Sequence, residues 1–226
     1  MRLVLETSDG TSDIDVGVDE LVIAGWTGRN AEAVEDHIAE LEAIGVARPP
    51  RVPCFYRVSA GLLSTAASLQ FWGTESSGEV EFVLYGTNEG MLVGLGSDHT
   101  DRKVEAYSIT VSKQMCAKPI GGTVWRFEDV ADHWEGLILR SWAVIGGERQ
   151  AYQEGAVSAM RTPADLIGRY ANGAIALPAG TAMFCGTLSV QGGLRPAERF
   201  EMEIADPVLG RTMRHAYDVG PLPTDG

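Results

Sequence analysis

Cysteine is scarce in this sequence, and its copies lie far apart. The chain has 3 cysteines, Cys54, Cys116 and Cys185, and none of them forms a C-x-x-C pair. This odd number and wide spacing argue against a structural zinc site and a disulfide framework, and they fit a reducing compartment. Because the sequence shows no partner base for Cys185, we do not expect a catalytic thiol there.

Long hydrophobic runs are also missing. No apolar stretch reaches the roughly 18 residues that a membrane-spanning helix needs, and the N-terminus, M-R-L-V-L-E-T-S-D, lacks the apolar centre of a signal peptide. We therefore expect a soluble cytoplasmic protein with no membrane partner.

Positive charge is in short supply. The chain has 18 lysines and arginines against 31 acidic residues, which gives a formal net charge of −13. Such a chain repels phosphate backbones, so nucleic acid is not an expected partner. An anionic substrate would need local cations, either a metal ion or a cluster of arginine and lysine.

The sequence also lacks internal repeats, low-complexity tracts and obvious linkers. At 226 residues it suits one domain. We predict a short N-terminal segment over residues 1–20 that forms a hairpin, a domain over residues 21–220 and a disordered tail over residues 221–226. Strands are short, turns are frequent, and only one helix, from Asn30 to about Ile44, is strongly periodic, which predicts a β-rich α+β fold.

The strongest candidate site lies in the segment S-S-G-E-V-E-F-V-L-Y-G-T, which begins at Ser76. Glu79 and Glu81 point to the same face of a strand because side chains alternate with period two. Two adjacent carboxylates repel unless a cation or a proton offsets their charge, and Mg²⁺ and Mn²⁺ prefer oxygen ligands. The alternative is a strand that shows a polar face to water.

The rest of this strand favours a site. The face of the two glutamates continues into Val83 and Tyr85, and the opposite face is apolar throughout, so both faces are predicted to be buried. By contrast, Glu201 and Glu203 alternate with apolar residues in a strand that keeps one polar face, and we interpret both as solvated.

A second short apolar run supplies a third candidate ligand. Residues Met91–Leu95 are typical of a buried strand that stops at Ser97-Asp98. Carboxylates often act where a rigid strand gives way to a loop, so Asp98 is a candidate.

These motifs resemble the fumarylacetoacetate hydrolase superfamily. The resemblance rests on the E-x-E strand, on S-D-H-T-D-R where the superfamily has a pattern close to N-D-x-T-A-R-D, on Lys113 and on C-G-T near the end. It extends from about Ala24 to Val219 and is greatest to an uncharacterised bacterial branch. It implies a mixed β-sandwich roll like the C-terminal domain of fumarylacetoacetase, a homodimer, and Mg²⁺ or Mn²⁺ bound by the two glutamates and Asp98.

The resemblance also implies a water-activating pair. One branch of the superfamily has a G-R-N-Y segment followed by H-x-x-E on a short lid helix, and this chain has Gly28-Arg29-Asn30 followed by His37 and Glu40. Ala31 stands where that branch has tyrosine, and extra residues separate the two pieces. The residues alone indicate only an exposed His-Glu pair on one side of a helix.

Four further residues are implied to bind substrate, namely Arg57, Arg102, Gly186 and Thr187. Lys113, together with Arg102, is implied to neutralise a substrate carboxylate or an oxyanion. Arg57 stands where the superfamily has a lysine and could bind a carboxylate, although a surface arginine fits equally well. Gly186 and Thr187 would hold a substrate carboxylate, and the alternative is an ordinary strand end.

Together these residues predict a divalent-metal-dependent hydrolase of a carbon–carbon bond in a small β-diketo or keto acid. The same site would serve decarboxylation, tautomerisation or hydration of 2-keto acids. A non-catalytic metabolite-binding protein is the alternative from another class, because Ala31, Val58 and Lys103 depart from the superfamily pattern.

Overall fold

The computed structural model describes residues 1–43 and 48–225. In this part of the chain the strands are β1 Arg2–Thr7, β2 Gly10–Asp15, β3 Glu20–Gly25, β4 Cys54–Val58, β5 Leu63–Ser64, β6 Ser68–Trp72, β7 Ser76–Ser77, β8 Val80–Thr87, β9 Gly90–Ser97, β10 Thr100–Asp101, β11 Lys118–Arg126, β12 Ile138–Ile145, β13 Glu148–Ala156, β14 Thr181–Thr187, β15 Arg199–Asp206 and β16 Arg211–Leu222.

Helices are fewer and mostly short. They are α1 Ala31–Ala43, α2 Arg102–Glu105, α3 Ile109–Met115, α4 Phe127–Ala131 and α5 Pro163–Tyr170, with short 3₁₀ turns at Ala60–Leu62, Trp134–Gly136 and Val157–Ala159. None of the helices in the described ranges is long and apolar enough to cross a membrane. The predicted β-rich α+β class is confirmed.

The strands form two large sheets. The nine-stranded sheet has the order β2-β1-β11-β9-β8-β14-β3-β4, with β5 paired to β11, and the five-stranded sheet has the order β13-β12-β15-β16-β6. A small third sheet pairs β10 with β7. Parallel pairs such as β1 with β11 and β14 with β3 occur beside antiparallel ones, so the sheets are mixed, as expected of the predicted roll.

Strand β8 is buried on both faces, as predicted. Val80, Phe82 and Leu84 belong to the hydrophobic cluster that joins the two large sheets. Val83 and Tyr85 belong to a second cluster on the opposite face of the nine-stranded sheet. A strand with two apolar surroundings has little solvent to accept a charged side chain, which makes the two glutamates at its start exceptional.

Hydrogen bonds of capping side chains define the starts of two helices, and they confirm the predicted start at Asn30. The Asn30 side chain accepts from the amides of Glu32 and Ala33, at 3.1 and 3.2 Å, and so caps α1. Thr162 accepts from the amide of Asp165 and caps α5, with Pro163 in the first turn. The predicted end of this helix, at about Ile44, lies outside the described residues.

The two ends of the chain both take part in sheets. The predicted N-terminal hairpin is present as β1 and β2, and it forms one edge of the nine-stranded sheet. The predicted tail requires correction, because Pro221 and Leu222 continue β16 and pair with Phe71 and Trp72 of β6. The parallel partner strand orders this segment.

Glu203 also requires correction. It was predicted to be solvated, but it is only 7% exposed. Arg140 and Arg214 donate to its two oxygens at 2.9 and 2.8 Å, so paired charge allows the burial that the alternating pattern argued against. Glu201, which lies in β15 with Glu203, pairs with Arg149 of β13 at 2.8 Å.

Asp206 organises the turn between β15 and β16. Its Oδ1 accepts from the amides of Val208 and Leu209 at 3.0 and 3.1 Å and contacts His133 Nε2 at 3.0 Å, and Arg211 donates to Oδ2. Burial raises the pKa of Asp206, but these hydrogen bonds outweigh it, so the pKa is lowered from its ordinary value. His133 is thereby tied to the turn between β15 and β16.

The Asp206→Asn variant is expected to lose about 2–3 kcal/mol of unfolding free energy at pH 7, since it removes the charge that Arg211 and the turn amides stabilise. Because the folded state favours the ionised form, this contribution is present above the ordinary pKa of 3.8 and is lost as the pH falls below it. Urea unfolding at pH 7 and pH 3 checks both statements. The exposed Asp13→Asn variant is the control, and equal loss at both pH values would contradict the assignment.

Candidate metal centre

Three carboxylates converge where β8 begins and β9 ends. One oxygen each of Glu79, Glu81 and Asp98 lies within 4.8 Å of the others, and we call this group the acidic cluster. The Asp98 amide donates to the Glu79 carbonyl at 3.0 Å, which joins the two strand ends. Glu81 and Asp98 are 2% and 1% exposed. The structure thus brings together all three residues that the sequence predicted as metal ligands.

Glu81 has the least compensated charge in the acidic cluster. Its Oε2 accepts from the Gly186 amide at 2.7 Å. Among the residues that the structure describes, no lysine or arginine forms an ion pair with it. Burial, followed by the charges of Asp98 and Glu79, raises the pKa of Glu81 well above its ordinary value. A buried carboxylate without a cation is costly, so the site fits a positive ligand.

Asp98 is held as a carboxylate by two lysines. Lys113 Nζ contacts Asp98 Oδ2, and Lys118 Nζ lies 3.0 Å from Oδ1. Burial raises the pKa of Asp98, but the two ammonium groups outweigh it and hold the pKa below its ordinary value. Each carboxylate oxygen still has a second lone pair, so both lysines leave room for a further ligand.

Arg102 pairs with the third carboxylate. It lies 3.2 Å from Glu79 and 2.9 Å from Glu105, and its Nε donates to Ser77 Oγ at 2.7 Å. Burial nevertheless raises the pKa of Glu79. The donors of Arg102 are largely engaged within the protein.

The donor set fits a hard divalent cation. The cluster and Glu105 supply four carboxylates, whereas Arg102, Lys113 and Lys118 supply three cations, so negative charge remains at the oxygens. Carboxylate oxygens alone are the ligands that Mg²⁺ and Mn²⁺ prefer. Soft-metal ligands such as cysteine do not belong to the group.

Lys118 was missed by the sequence analysis. It is wholly buried in β11, and its Nζ also donates to the His99 carbonyl at 2.6 Å. The available signal was a lysine inside the apolar segment A-K-P-I, where only a paired charge is tolerated.

The sequence analysis also missed a chain of buried hydrogen bonds that supports the backbone at Glu79. The Glu79 amide donates to Ser97 Oγ, which lies 2.9 Å from Tyr217 Oη of the five-stranded sheet. Tyr217 Oη lies 2.9 Å from His99 Nδ1, and His99 Nε2 lies 2.9 Å from Ser76 Oγ. Burial holds the pKa of His99 well below its ordinary value, so this imidazole is neutral and links Tyr217 of the five-stranded sheet to Ser76 of β7 by hydrogen bonds.

Gly186 and Thr187 lie beside the cluster, but the protein uses their donors. The Gly186 amide binds Glu81, and Thr187 Oγ1 donates to the Val80 carbonyl at 2.6 Å. Gly186 has a φ of +99°, and a Cβ at this position would overlap the Thr27 hydroxyl. In this arrangement the two residues shape the cluster, and their role in binding a substrate carboxylate stays a prediction.

Arg57 does not join the acidic cluster. It pairs with Glu20 at 2.8 Å and is half exposed. Its neighbour on β4, Tyr56, faces the site instead, with its ring centroid 5.9 Å from Lys113 Nζ. Trp26 Nε1 donates to Tyr56 Oη at 3.3 Å, and burial raises the Tyr56 pKa to about 12. A neutral tyrosine ring therefore lies next to Lys113, and Trp26 binds its hydroxyl group.

His37 and Glu40 lie in α1, which begins three residues after Gly28. Their side chains fall outside the described residues. The proposed water-activating pair therefore stays a prediction.

Comparison with known proteins identifies the family of this chain. The sequence matches the family described as "Protein of unknown function (DUF2848)" over residues 24–217. Among curated protein sequences, none matches this chain.

Solved structures with a similar fold include proteins described as members of the fumarylacetoacetate hydrolase family. Yeast ynq8, a fumarylacetoacetate hydrolase family protein, is 17% identical with a TM-score of 0.63, covering 91% of this chain and 94% of that one. A Burkholderia cenocepacia protein provisionally assigned as a fumarylpyruvate hydrolase is 18% identical with a TM-score of 0.61, covering 99% and 96%. A 2-keto-3-deoxyarabinonate dehydratase is 15% identical with a TM-score of 0.62, covering 97% and 79%. The predicted resemblance, to an uncharacterised branch allied to this superfamily, is confirmed.

Proposed function

This chain belongs to the DUF2848 family, and we propose that it is a divalent-metal-dependent enzyme that hydrolyses a carbon–carbon bond in a small β-diketo or keto acid. The observation that carries the proposal is Glu81, a buried carboxylate without a cationic partner among the described residues, within 4.8 Å of two further carboxylates. The similarity of fold to hydrolases and a dehydratase of keto acids supports it.

The acidic cluster would hold Mg²⁺ or Mn²⁺. A bound cation supplies positive charge for the keto oxygens of the substrate, where negative charge develops as the carbon–carbon bond breaks. The chain supplies the ligands Glu79, Glu81 and Asp98 on two strand ends that are tied together through the backbone.

Lys113 is the cation best placed for the substrate's carboxylate. Its neighbours Asp98, Glu79 and Glu105 raise its pKa and offset the effect of burial, so it stays protonated. Arg102 is engaged with Glu79 and Glu105, and Arg57 lies elsewhere. The Tyr56 ring lies beside Lys113, and Trp26 donates to the Tyr56 hydroxyl. These two aromatic side chains would exclude water from the bound acid.

Hydrolysis also needs a base. We assign this role to His37, whose ring nitrogen would accept a proton from the attacking water while Glu40 orients the ring. The helix that carries the pair follows directly on the segment at Gly28, and the preceding residue Thr27 packs against Gly186.

The second candidate is a reaction of 2-keto acids on the same site without hydrolysis, such as decarboxylation, tautomerisation or hydration. The dehydratase among the similar folds favours it. Of these reactions, decarboxylation requires no activated water, so it differs from hydrolysis in its need for His37.

Replacement of His37 by alanine is expected to lower a hydrolytic kcat about 10²–10⁴-fold, because general-base catalysis contributes that much. The measurement is product formation from a panel of β-diketo and 2-keto acids with Mn²⁺, followed by NMR. The exposed neighbour variant Asp36→Ala is the control and should keep full activity. A His37→Ala protein that turns over at the original rate would exclude hydrolysis through this base and favour decarboxylation.

A further inference from the structure

We propose that Gln153, in the five-stranded sheet, is a positioning residue that fixes Glu81 against the Gly186 amide. The inference rests on the proposed metal site, because it assigns Gln153 the task of holding a ligand of that site. Gln153 touches neither the substrate nor a cation in this proposal; it acts through the backbone of the two strands that carry Glu81 and Gly186.

A bulge in β13 turns Gln153 inward. Ser141 of β12 lies opposite Gln153, whereas the next residue, Trp142, lies opposite Ala151, so Tyr152 is the extra residue. As a result Tyr152 and Gln153 are both buried although they are consecutive, and Gln153 is only 1% exposed. Bulges often redirect a side chain next to a functional site.

Every hydrogen-bonding position of the buried Gln153 amide is used. Its Oε1 accepts from the Val80 amide at 3.0 Å and from Ser141 Oγ at 2.9 Å. Its Nε2 donates to Thr187 Oγ1 and to the Leu188 carbonyl, both at 2.7 Å. This satisfies the two acceptor and two donor positions of a glutamine side chain, so the orientation of the amide is determined.

These contacts lie at the one irregular point of the ladder between β8 and β14. Phe184 pairs with Val83, but Thr187 pairs with Glu81, so the register shifts between them at Gly186. Here the Gly186 amide turns to Glu81 instead of a strand partner. Gln153 binds Val80, the residue before Glu81, and Thr187, the residue after Gly186.

The geometry therefore points to a clamp across the irregularity. Without Gln153, the Val80 amide and the Thr187 hydroxyl each lose a hydrogen-bond partner. Among the described residues no other side-chain hydrogen bond joins these two strands to the five-stranded sheet at this point, where the remaining contacts between the sheets are apolar. Glu81 would then be free to leave the Gly186 amide, which costs the proposed site a preorganised ligand.

The test is the Mn²⁺ affinity of Gln153→Met, measured by electron paramagnetic resonance of free Mn²⁺ on the full chain. Methionine keeps the length of the side chain but makes none of the four hydrogen bonds. We expect the Kd to rise about 10–100-fold, the usual effect of removing a group that supports a metal ligand. A Kd within about twofold of the unsubstituted protein would overturn the inference.

Two control variants separate positioning from general destabilisation. Tyr152→Phe alters the same bulge but leaves the Gln153 contacts, and Leu139→Ala opens a cavity in the core between the sheets. Both should keep the original Kd, even where the melting temperature falls. If Leu139→Ala weakens Mn²⁺ binding as much as Gln153→Met does, the inference fails.

A metal-free readout distinguishes this inference from the proposed function. Hydrogen exchange of the Gly186 amide should accelerate at least about tenfold in Gln153→Met, while amides of β12 stay protected. If the unsubstituted protein binds no Mn²⁺ but Gly186 exchange is still faster in Gln153→Met, the result supports the clamp and overturns the metal site. Unchanged exchange would overturn the clamp whatever the metal result.

Discussion

Substituting glutamine for Glu81 is expected to abolish the thermal response of the protein to Mn²⁺. A ligand at about 100 times its Kd stabilises the folded state by about 2.7 kcal/mol, which corresponds to about 5–10 °C in melting temperature for a chain of this size. Glutamine keeps the volume and can still accept from the Gly186 amide, but it lacks the charge that a hard cation requires. Thermal melts with and without Mn²⁺ measure the difference.

Without Mn²⁺, the Glu81→Gln substitution should not lower the melting temperature. Since Glu81 is 2% exposed and without a cationic partner among the described residues, a neutral amide costs less to bury, and Glu81→Gln should melt no lower than the unsubstituted protein. The matched control is Glu201→Gln, which changes the other E-x-E strand on a face paired with Arg149 and should retain the full Mn²⁺ shift. A protein whose melting temperature ignores Mn²⁺ even before substitution would contradict the metal site.

The second large effect is expected from Gly186→Ala. A φ of +99° is unfavourable for any residue with a Cβ, and here the Cβ would also overlap the Thr27 hydroxyl. Together the strain and the overlap should cost more than about 3 kcal/mol of unfolding free energy, measured by urea denaturation. The substitution would also displace the amide that binds Glu81.

Gly193→Ala is a matched control for the backbone strain alone. Gly193 has a φ of +85°, but nothing lies within 4 Å of its position for a Cβ. Its variant should lose only about 1–2 kcal/mol. Combining Gly186→Ala with Thr27→Ala removes the overlapping hydroxyl and should recover part of the loss. Equal losses for the two glycine variants would show that the contact with Thr27 contributes nothing.

The acidic cluster could be predicted because its members are close in sequence and their pattern is unusual. Glu79 and Glu81 share one face of a strand that is apolar on both sides, and Asp98 ends the neighbouring strand, so local periodicity was sufficient. The same reasoning failed to predict the burial of Glu203, because the arginines that allow its burial belong to two other strands. Partners supplied by tertiary structure leave no signal in a local pattern.

Arg57 shows a different limit. Family resemblance placed a cation at the right strand, but alternation turns it away from the cluster and directs Tyr56 towards Lys113. A difference of one position along a strand moves a side chain to the opposite face. Only the observed register could decide which of the two neighbours reaches the site.

Gln153 could not be predicted for a related reason. Strict alternation after the buried Tyr152 would have placed Gln153 in solvent, and the bulge that turns it inward has no glycine to mark it. Tyr217 likewise reaches Ser97 across 120 residues of sequence. The supporting residues of the site are thus the part that depends on how the two sheets come together.

This separation in sequence has a consequence for the order in which the chain can acquire its structure. The ligand-bearing strands β8 and β9 form a hairpin, which closes a short loop and needs little loss of chain entropy. Gln153, which binds the Val80 amide, lies 73 residues away along the chain, and Tyr217, which contacts the Ser97 hydroxyl that binds Glu79, lies 120 residues from Ser97, so both of these loops close late. The carboxylates of the acidic cluster, which this hairpin brings together early in folding, would repel one another until these long-range contacts form. The ordering of these charges is therefore tied to the last long-range contacts, and a partly folded chain cannot offer them as a formed binding site.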